Sequence, residues 1–244
     1  MKTYTIHLLR HGMTDGNENG QYVGSMDVDL STNGILQLSQ LREKYDYGNP
    51  QLCFTSPMLR CKQTMRILFD DVQLVEALGL AERNLGDFQG KTPDDLINDP
   101  LYMDWIKKGT PPPNGETNEG FAERVCTQFV SVVTDILKSG KTEAVVCAHG
   151  GVIMTILSAY GLPQRNMIEW MASNGRGFTI RVTPSVWMRS GMVEVIAEYP
   201  KGSLDEPDLS NNPVKKVSGG WGSDEDDAYS EDIFWADYED EDEE

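Results

Sequence analysis

Three times in this chain an apolar, strand-like run breaks into a short turn and then a helical pattern. Residues 4–9 lead into Arg10-His11-Gly12-Met13-Thr14-Asp15-Gly16-Asn17. Residues 52–55 lead into Ser56-Pro57-Met58-Leu59-Arg60-Cys61-Lys62-Gln63-Thr64, and residues 144–147 into Ala148-His149-Gly150-Gly151. Repeated units of this kind pack as a mostly parallel sheet, and the turns at the carboxyl ends of its strands gather into clefts. The expected fold is therefore an α/β three-layer sandwich, a mostly parallel central sheet flanked by helices. Its cleft would hold Arg10, His11, Arg60 and His149, a set able to bind a phosphoryl group and to attack it.

Further elements follow from periodicity. Residues 32–45 carry Ile35, Leu38 and Leu41 at helical spacing behind the cap candidates Ser31-Thr32-Asn33. Helices are also expected over 58–69, 121–137 and 151–160, and strands over 178–182 and 192–199 as a late hairpin or sheet edge. Residues 86–119, with Thr110-Pro111-Pro112-Pro113-Asn114-Gly115, lack periodicity and read as an insertion folding over the cleft.

Composition matters mainly where it is uneven. The net charge of −18 is concentrated beyond residue 200, where 16 acidic residues face three lysines, a net −13, leaving −5 for residues 1–200. Residues 1–200 thus form the expected catalytic domain. Residues 201–244 form an acidic, low-complexity tail expected to be disordered. Trp221, Phe234, Trp235 and Tyr238 in that tail leave room for a protein partner docking through it. A nucleic-acid role lacks a basic footprint, and no apolar run or leader indicates a membrane span or secretion. Four scattered cysteines without a C-x-x-C pair suggest reduced thiols in a cytoplasmic protein. The Cys147/His149 spacing is poor for zinc, and neither a metal nor a cofactor is expected.

A phosphate monoester needs fixed cationic donors at its non-bridging oxygens, an in-line nucleophile and a proton for the leaving oxygen. Arg10 and Arg60 supply planar guanidinium forks. Thr14 and Asn17 add neutral donors, and the amides of Gly150 and Gly151 add a helix N-terminus. His11 is the candidate nucleophile, held neutral by two neighbouring guanidiniums, with Gly12 allowing a tight turn and close approach. His149 is a second donor. Glu82, in the run Leu80 to Gly90, is the candidate proton donor. His7 reads as a satisfied structural histidine, and Arg42 and Arg66 as solvated helix residues.

These residues resemble the histidine phosphatase superfamily, in its phosphoglycerate mutase-like branch. Its R-H-G-x-T-x-x-N signature falls on Arg10 to Asn17 and S-P-x-x-R-x-x-Q-T on Ser56 to Thr64. L-x-E-x-x-x-G-x-x-x-G falls on Leu80 to Gly90, the G-E-S/T element on Gly115-Glu116-Thr117 and H-G-G on His149 to Gly151. The resemblance implies a phosphoglycerate mutase-like fold and a phosphomonoesterase working through a phosphohistidine. His11 would be the nucleophile, Arg10, Arg60 and His149 the phosphate pocket, and Glu82 the proton donor. Thr14, Asn17, Val23, Gly24, Arg83 and Gly150 would line the substrate side. Met13 and Gln21 depart from the family pattern. Residues 86–117 resemble the small phosphatases, including α-ribazole phosphatase-like ones, more than the mutases, which carry longer insertions and an E-R-H-Y-G element. A phosphoglycerate mutase is the rival enzyme; a catalytically weak phosphate-binding or scaffold protein acting through the acidic tail is the rival of another class.

Overall fold

The computed structural model describes residues 2–202, so expectations about the acidic tail lie outside the described residues. In chain order the elements are β1 (Tyr4–Arg10), α1 (Asp15–Glu18), α2 (Thr32–Lys44), β2 (Leu52–Thr55), α3 (Leu59–Leu68) and β3 (Leu74–Glu76). Then come α4 (Pro93–Leu96), α5 (Pro100–Lys108), α6 (Asn118–Ser139), β4 (Glu143–Ala148) and α7 (Gly150–Tyr160). The last are β5 (Gly161–Leu162), β6 (Gly177–Val182), α8 (Pro184–Ser190) and β7 (Val193–Tyr199). The strands form one seven-stranded sheet in the order β3-β2-β4-β1-β6-β7-β5. The half from β3 to β1 is parallel. β6 runs antiparallel to both β1 and β7, and the two-residue β5 adds a parallel edge to β7. The two late strands are thus an antiparallel pair joined through α8, and they lie inside the sheet, not at its edge.

Strand alternation assigns the layers. In β1, Tyr4, Ile6 and Leu8 enter the core under α6 and α7, whereas Leu9 enters the core under α2 and α3. In β4, Ala144, Val146 and Ala148 face the first layer and Val145 and Cys147 the second. Helix α6 buries Phe121, Val125, Phe129, Val132, Val133 and Ile136, the stripe that a 3.6-residue period demands.

Helix α2 corrects one expectation. Its buried face is Gly34, Leu38 and Leu41, and Ile35 is 44% exposed. A Cβ at Gly34 would stand 2.2 Å from the Met13 carbonyl oxygen, so the helix approaches the turn after β1 as only glycine permits. Ser31, the expected cap, accepts from the Gly34 amide. Residues 86–119 are better ordered than their sequence suggests. Thr92 forms a capping box with Asp95, prolines open both α4 and α5, and Tyr22, Phe88, Leu96 and Tyr102 make a small aromatic core.

The two cores set the scale of stability. Phe129, fully buried against Tyr160 and Trp187, should cost about 3–5 kcal/mol on replacement by alanine. Ile35→Ala should stay within about 0.5 kcal/mol, since that side chain is largely in water. Urea unfolding of both variants checks the assignment; a large loss for Ile35→Ala would contradict it.

Candidate active site

The register of the parallel strands brings the three turns to one level. Arg10 pairs with Ala148, and Thr55 with Cys147, so His11, Ser56 and His149 leave the sheet side by side. The His11 and His149 rings lie 5.1 Å apart, centre to centre, in an edge-on arrangement. Both are buried, at 4% and 0% exposure.

Hydrogen bonds fix each ring. His11 Nδ1 donates to the Gly12 carbonyl at 2.6 Å. That leaves Nε2 as the lone-pair nitrogen, and it accepts from Arg60 Nε at 3.3 Å. The main chain behind His11 is pinned by Asn174 Nδ2, which donates to its carbonyl at 2.8 Å, and by the Gly12 amide donating to Thr64 Oγ1 at 2.9 Å. His149 Nε2 is 2.7 Å from Ser56 Oγ, with Cys61 Sγ 3.6 Å away.

Helix α3 explains its own motif. Arg60 is 1% exposed, and besides His11 it reaches the carbonyls of Met26 and Gly24 at 2.6 and 2.8 Å. Gln63 accepts from the Leu30 amide and donates to Asp29, and Thr64 holds Gly12. The Asp27 carboxylate accepts from the first amide of α3, where the helix has no side-chain cap of its own. Arginine, glutamine and threonine at this spacing therefore staple the 24–30 loop and the β1 turn to one helix.

Arg10 donates through Nη1 to the Ala172 carbonyl at 2.7 Å, and its guanidinium lies against Gly150, where a Cβ would be 3.6 Å from Cζ. One residue on, the Gly151 amide donates to Glu82 Oε2 at 3.2 Å, and the Arg83 amide donates to Glu82 Oε1 at 2.9 Å. A Cβ at Gly151 would collide with Glu82 Oε1 at 2.6 Å. Gly151 thus makes room for the Glu82 carboxylate at the start of α7, and its amide, expected to face an anion directly, is taken by Glu82.

The outer set makes structural contacts of its own. Thr14 is fully buried as the cap of α1, its hydroxyl accepting from the Asn17 amide and donating to Asn17 Oδ1. Val23 is buried, and a Cβ at Gly16 would stand 2.7 Å from its methyl. Gly24 acts through its carbonyl on Arg60. Arg83, expected to be solvated or ion-paired if not a ligand, is 6% exposed and donates through Nε and Nη2 to the Glu116 carbonyl. His7 is the structural histidine expected, between Thr179 and Glu143. Ser56, Gln63, Thr64 and Asn174 were not singled out for positions in the site. The Asn174-Gly175 turn ahead of β6 was the available signal for the last of them.

The electrostatics favour neutral histidines. Burial first, then the charges of Arg60 and Arg10, hold His11 well below its ordinary value of 6.5. Burial and the same arginines, with His11 and Arg124 adding, do the same to His149. Both rings are therefore uncharged at neutral pH in the free protein.

A buried histidine pair beside two fixed arginines and a carboxylate, at the carboxyl ends of parallel strands, is a set of groups with the chemistry to hold a phosphoryl group. Residues 6–190 match the sequence profile of the histidine phosphatase superfamily (branch 1), and the chain belongs to that family. A 2,3-bisphosphoglycerate-dependent phosphoglycerate mutase from Bifidobacterium longum is 29% identical over 188 residues, covering 64% of this chain and 76% of that one. The α-ribazole phosphatase from Shigella flexneri shares the fold with a TM-score of 0.65 at 23% identity, over 79% of this chain and 94% of that one. A mycobacterial glucosyl-3-phosphoglycerate phosphatase gives a TM-score of 0.60 at 25% identity, over 74% and 91%. Among the described residues no helix is long and apolar enough to cross a membrane.

The depressed histidines carry a pH signature. Unfolded, each would bind a proton near pH 6.5; folded, each resists it, so stability should fall as pH drops below about 6.5 toward the lower folded values. Denaturant unfolding between pH 8 and 5 should show this slope, reduced in His11→Gln. An unchanged slope in that variant would contradict the buried neutral state of His11.

Proposed function

We propose that this protein is a phosphomonoesterase acting on a small phosphorylated metabolite through a phosphohistidine on His11. The observation that carries the reading is the orientation of the imidazole: Nδ1 is committed to the Gly12 carbonyl, and Nε2 faces the guanidinium of Arg60 with its lone pair outward. A phosphoryl oxygen arriving at Arg60 would replace Nε2 as the acceptor and bring phosphorus in line with it. In the first step the Nε2–phosphorus bond forms as the ester phosphorus–oxygen bond breaks. The leaving oxygen takes its proton from the Glu82 carboxyl. In the second step Glu82, now a carboxylate, takes a proton from water; the water oxygen bonds to phosphorus and Nε2 is released. Arg10, Arg60 and His149 bear the charge on the non-bridging oxygens. Neither step requires a metal or a cofactor.

The short 86–117 stretch favours a phosphatase, while the named activity of the 29% identical bacterial relative keeps a mutase in view. Phosphate release from a panel of phosphorylated metabolites, without a bisphosphoglycerate primer, separates them. We expect hydrolysis of simple monoesters. Conversion of 3-phosphoglycerate to its 2-isomer faster than any hydrolysis would overturn the reading. Glu82→Gln should lower the rate about 10²- to 10⁴-fold for an alkyl ester. It should affect phosphorylation by p-nitrophenyl phosphate far less, since that leaving group needs no acid.

A further inference from the structure

Glu82 lies in an irregular turn between the Leu78–Leu80 and Gly86–Phe88 3-10 turns, where the local bonds are few: the Ala81 amide to Leu78 and the Arg83 amide to Glu82 Oε1. Most of the fixing comes from α6. Arg124 donates through Nη1 to the carbonyls of Gly79 and Ala81, at 2.9 and 2.7 Å, and through Nη2 to the carbonyl of Glu82 at 3.2 Å. Its Nε and Nη2 bind the Glu116 carboxylate at 2.6 and 2.8 Å. All five N–H donors of the guanidinium are thereby used, three of them on the carbonyls of Gly79, Ala81 and Glu82 that lead through the Glu82 turn. Glu116 closes the other side: its Oε2 accepts from the Asn84 amide, its own amide donates to the Asn84 carbonyl, and its carbonyl holds Arg83. The Phe121 ring supports the guanidinium at 4.9 Å, and Gln128 accepts from the Gly79 amide.

We propose that Arg124, locked by Glu116, is a positioning residue that sets where the Glu82 carboxyl stands relative to the phosphoryl group on His11. The assignment rests on Glu82 being the proton donor. Lysine keeps the charge but has three donors and no planar fork, so it cannot hold three carbonyls and a bidentate carboxylate together. Arg124 spends its five donors on the Glu82 turn and Glu116, and its charge reaches His149 only as the last of the causes that lower that histidine; Arg124→Lys keeps the charge, so its effect belongs to the leaving group and not to phosphate capture.

The test compares an alkyl phosphate with p-nitrophenyl phosphate, by steady-state and single-turnover kinetics, in Arg124→Lys, Glu116→Gln, Glu82→Gln and the Glu82→Gln/Arg124→Lys pair. Displacing the carboxyl by about an ångström predicts a loss on the order of 10²-fold in kcat for the alkyl ester in Arg124→Lys. The single-turnover phosphorylation by p-nitrophenyl phosphate should change little, and KM should hold. The double variant should be no slower than Glu82→Gln, the mark of two residues acting as one unit. Circular dichroism reports the folded fraction; should Arg124→Lys fold poorly, Glu116→Gln must show the same leaving-group split. Equal losses on both esters, or additive losses in the double variant, would reduce Arg124 to a structural role and overturn the proposal. If Glu82→Gln alone shows no leaving-group dependence, the proton-donor reading fails first and takes the assignment with it.

Discussion

A positive charge buried to 1% exposure organises this site. The Arg60 guanidinium is tolerable there because each of its nitrogens has an acceptor: His11, Met26 and Gly24. Meeting that demand draws the β1 turn and the 24–30 loop onto the first turn of α3. It also adds to the electrostatics, since burial first and then this charge hold both histidines well below their ordinary value. Burial lowers the pKa of Arg60 itself, while Glu82 and Asp27 are among the groups that oppose the shift. The pocket thus presents fixed donors for which an arriving anion would compete.

Much of this was legible in the sequence because it depended on short-range rules. Apolar runs ending in turns located β1, β2 and β4, and parallel register did the rest, bringing Arg10, His11, Arg60 and His149 together. The α6 stripe followed from its period without error. Other features depended on distant partners and left weaker traces. Ile35 shares the helical spacing of Leu38 and Leu41, yet a glycine, which carries no hydrophobic signal, holds the buried position beside it. The order of residues 86–119 comes from a capping box, two proline starts and an aromatic cluster that includes Tyr22 from elsewhere in the chain. The outer residues showed the same limit. Thr14 and Asn17 read as substrate donors, yet their spacing is also that of a capping box, which is the use the fold makes of their mutual bonds.

Glu82 and Arg10 both lie against the start of α7, but only Glu82 depends on the absence of a side chain there: a Cβ at Gly151 would stand 2.6 Å from its Oε1, whereas one at Gly150 would sit in ordinary contact with Arg10. Gly151 therefore does more than leave an amide open at a helix N-terminus. It lets the Glu82 carboxylate approach the end of the helix that the Arg10 guanidinium reaches from the end of β1. One is anchored by the Ala172 carbonyl and the other by α6. A site assembled from three strand ends and two loops keeps its geometry only if each loop is separately tied to the scaffold, and here each of them is.

The central claim is that His11 Nε2 forms the covalent bond to phosphorus. Brief reaction with a ³²P-labelled ester, quenched at alkaline pH, and phosphorus–proton NMR of the isolated peptide would test it directly. The account predicts label on His11 at Nε2, stable in base, lost in acid and absent from His11→Ala. Acid-stable label, label on Nδ1, or label persisting in His11→Ala would contradict it.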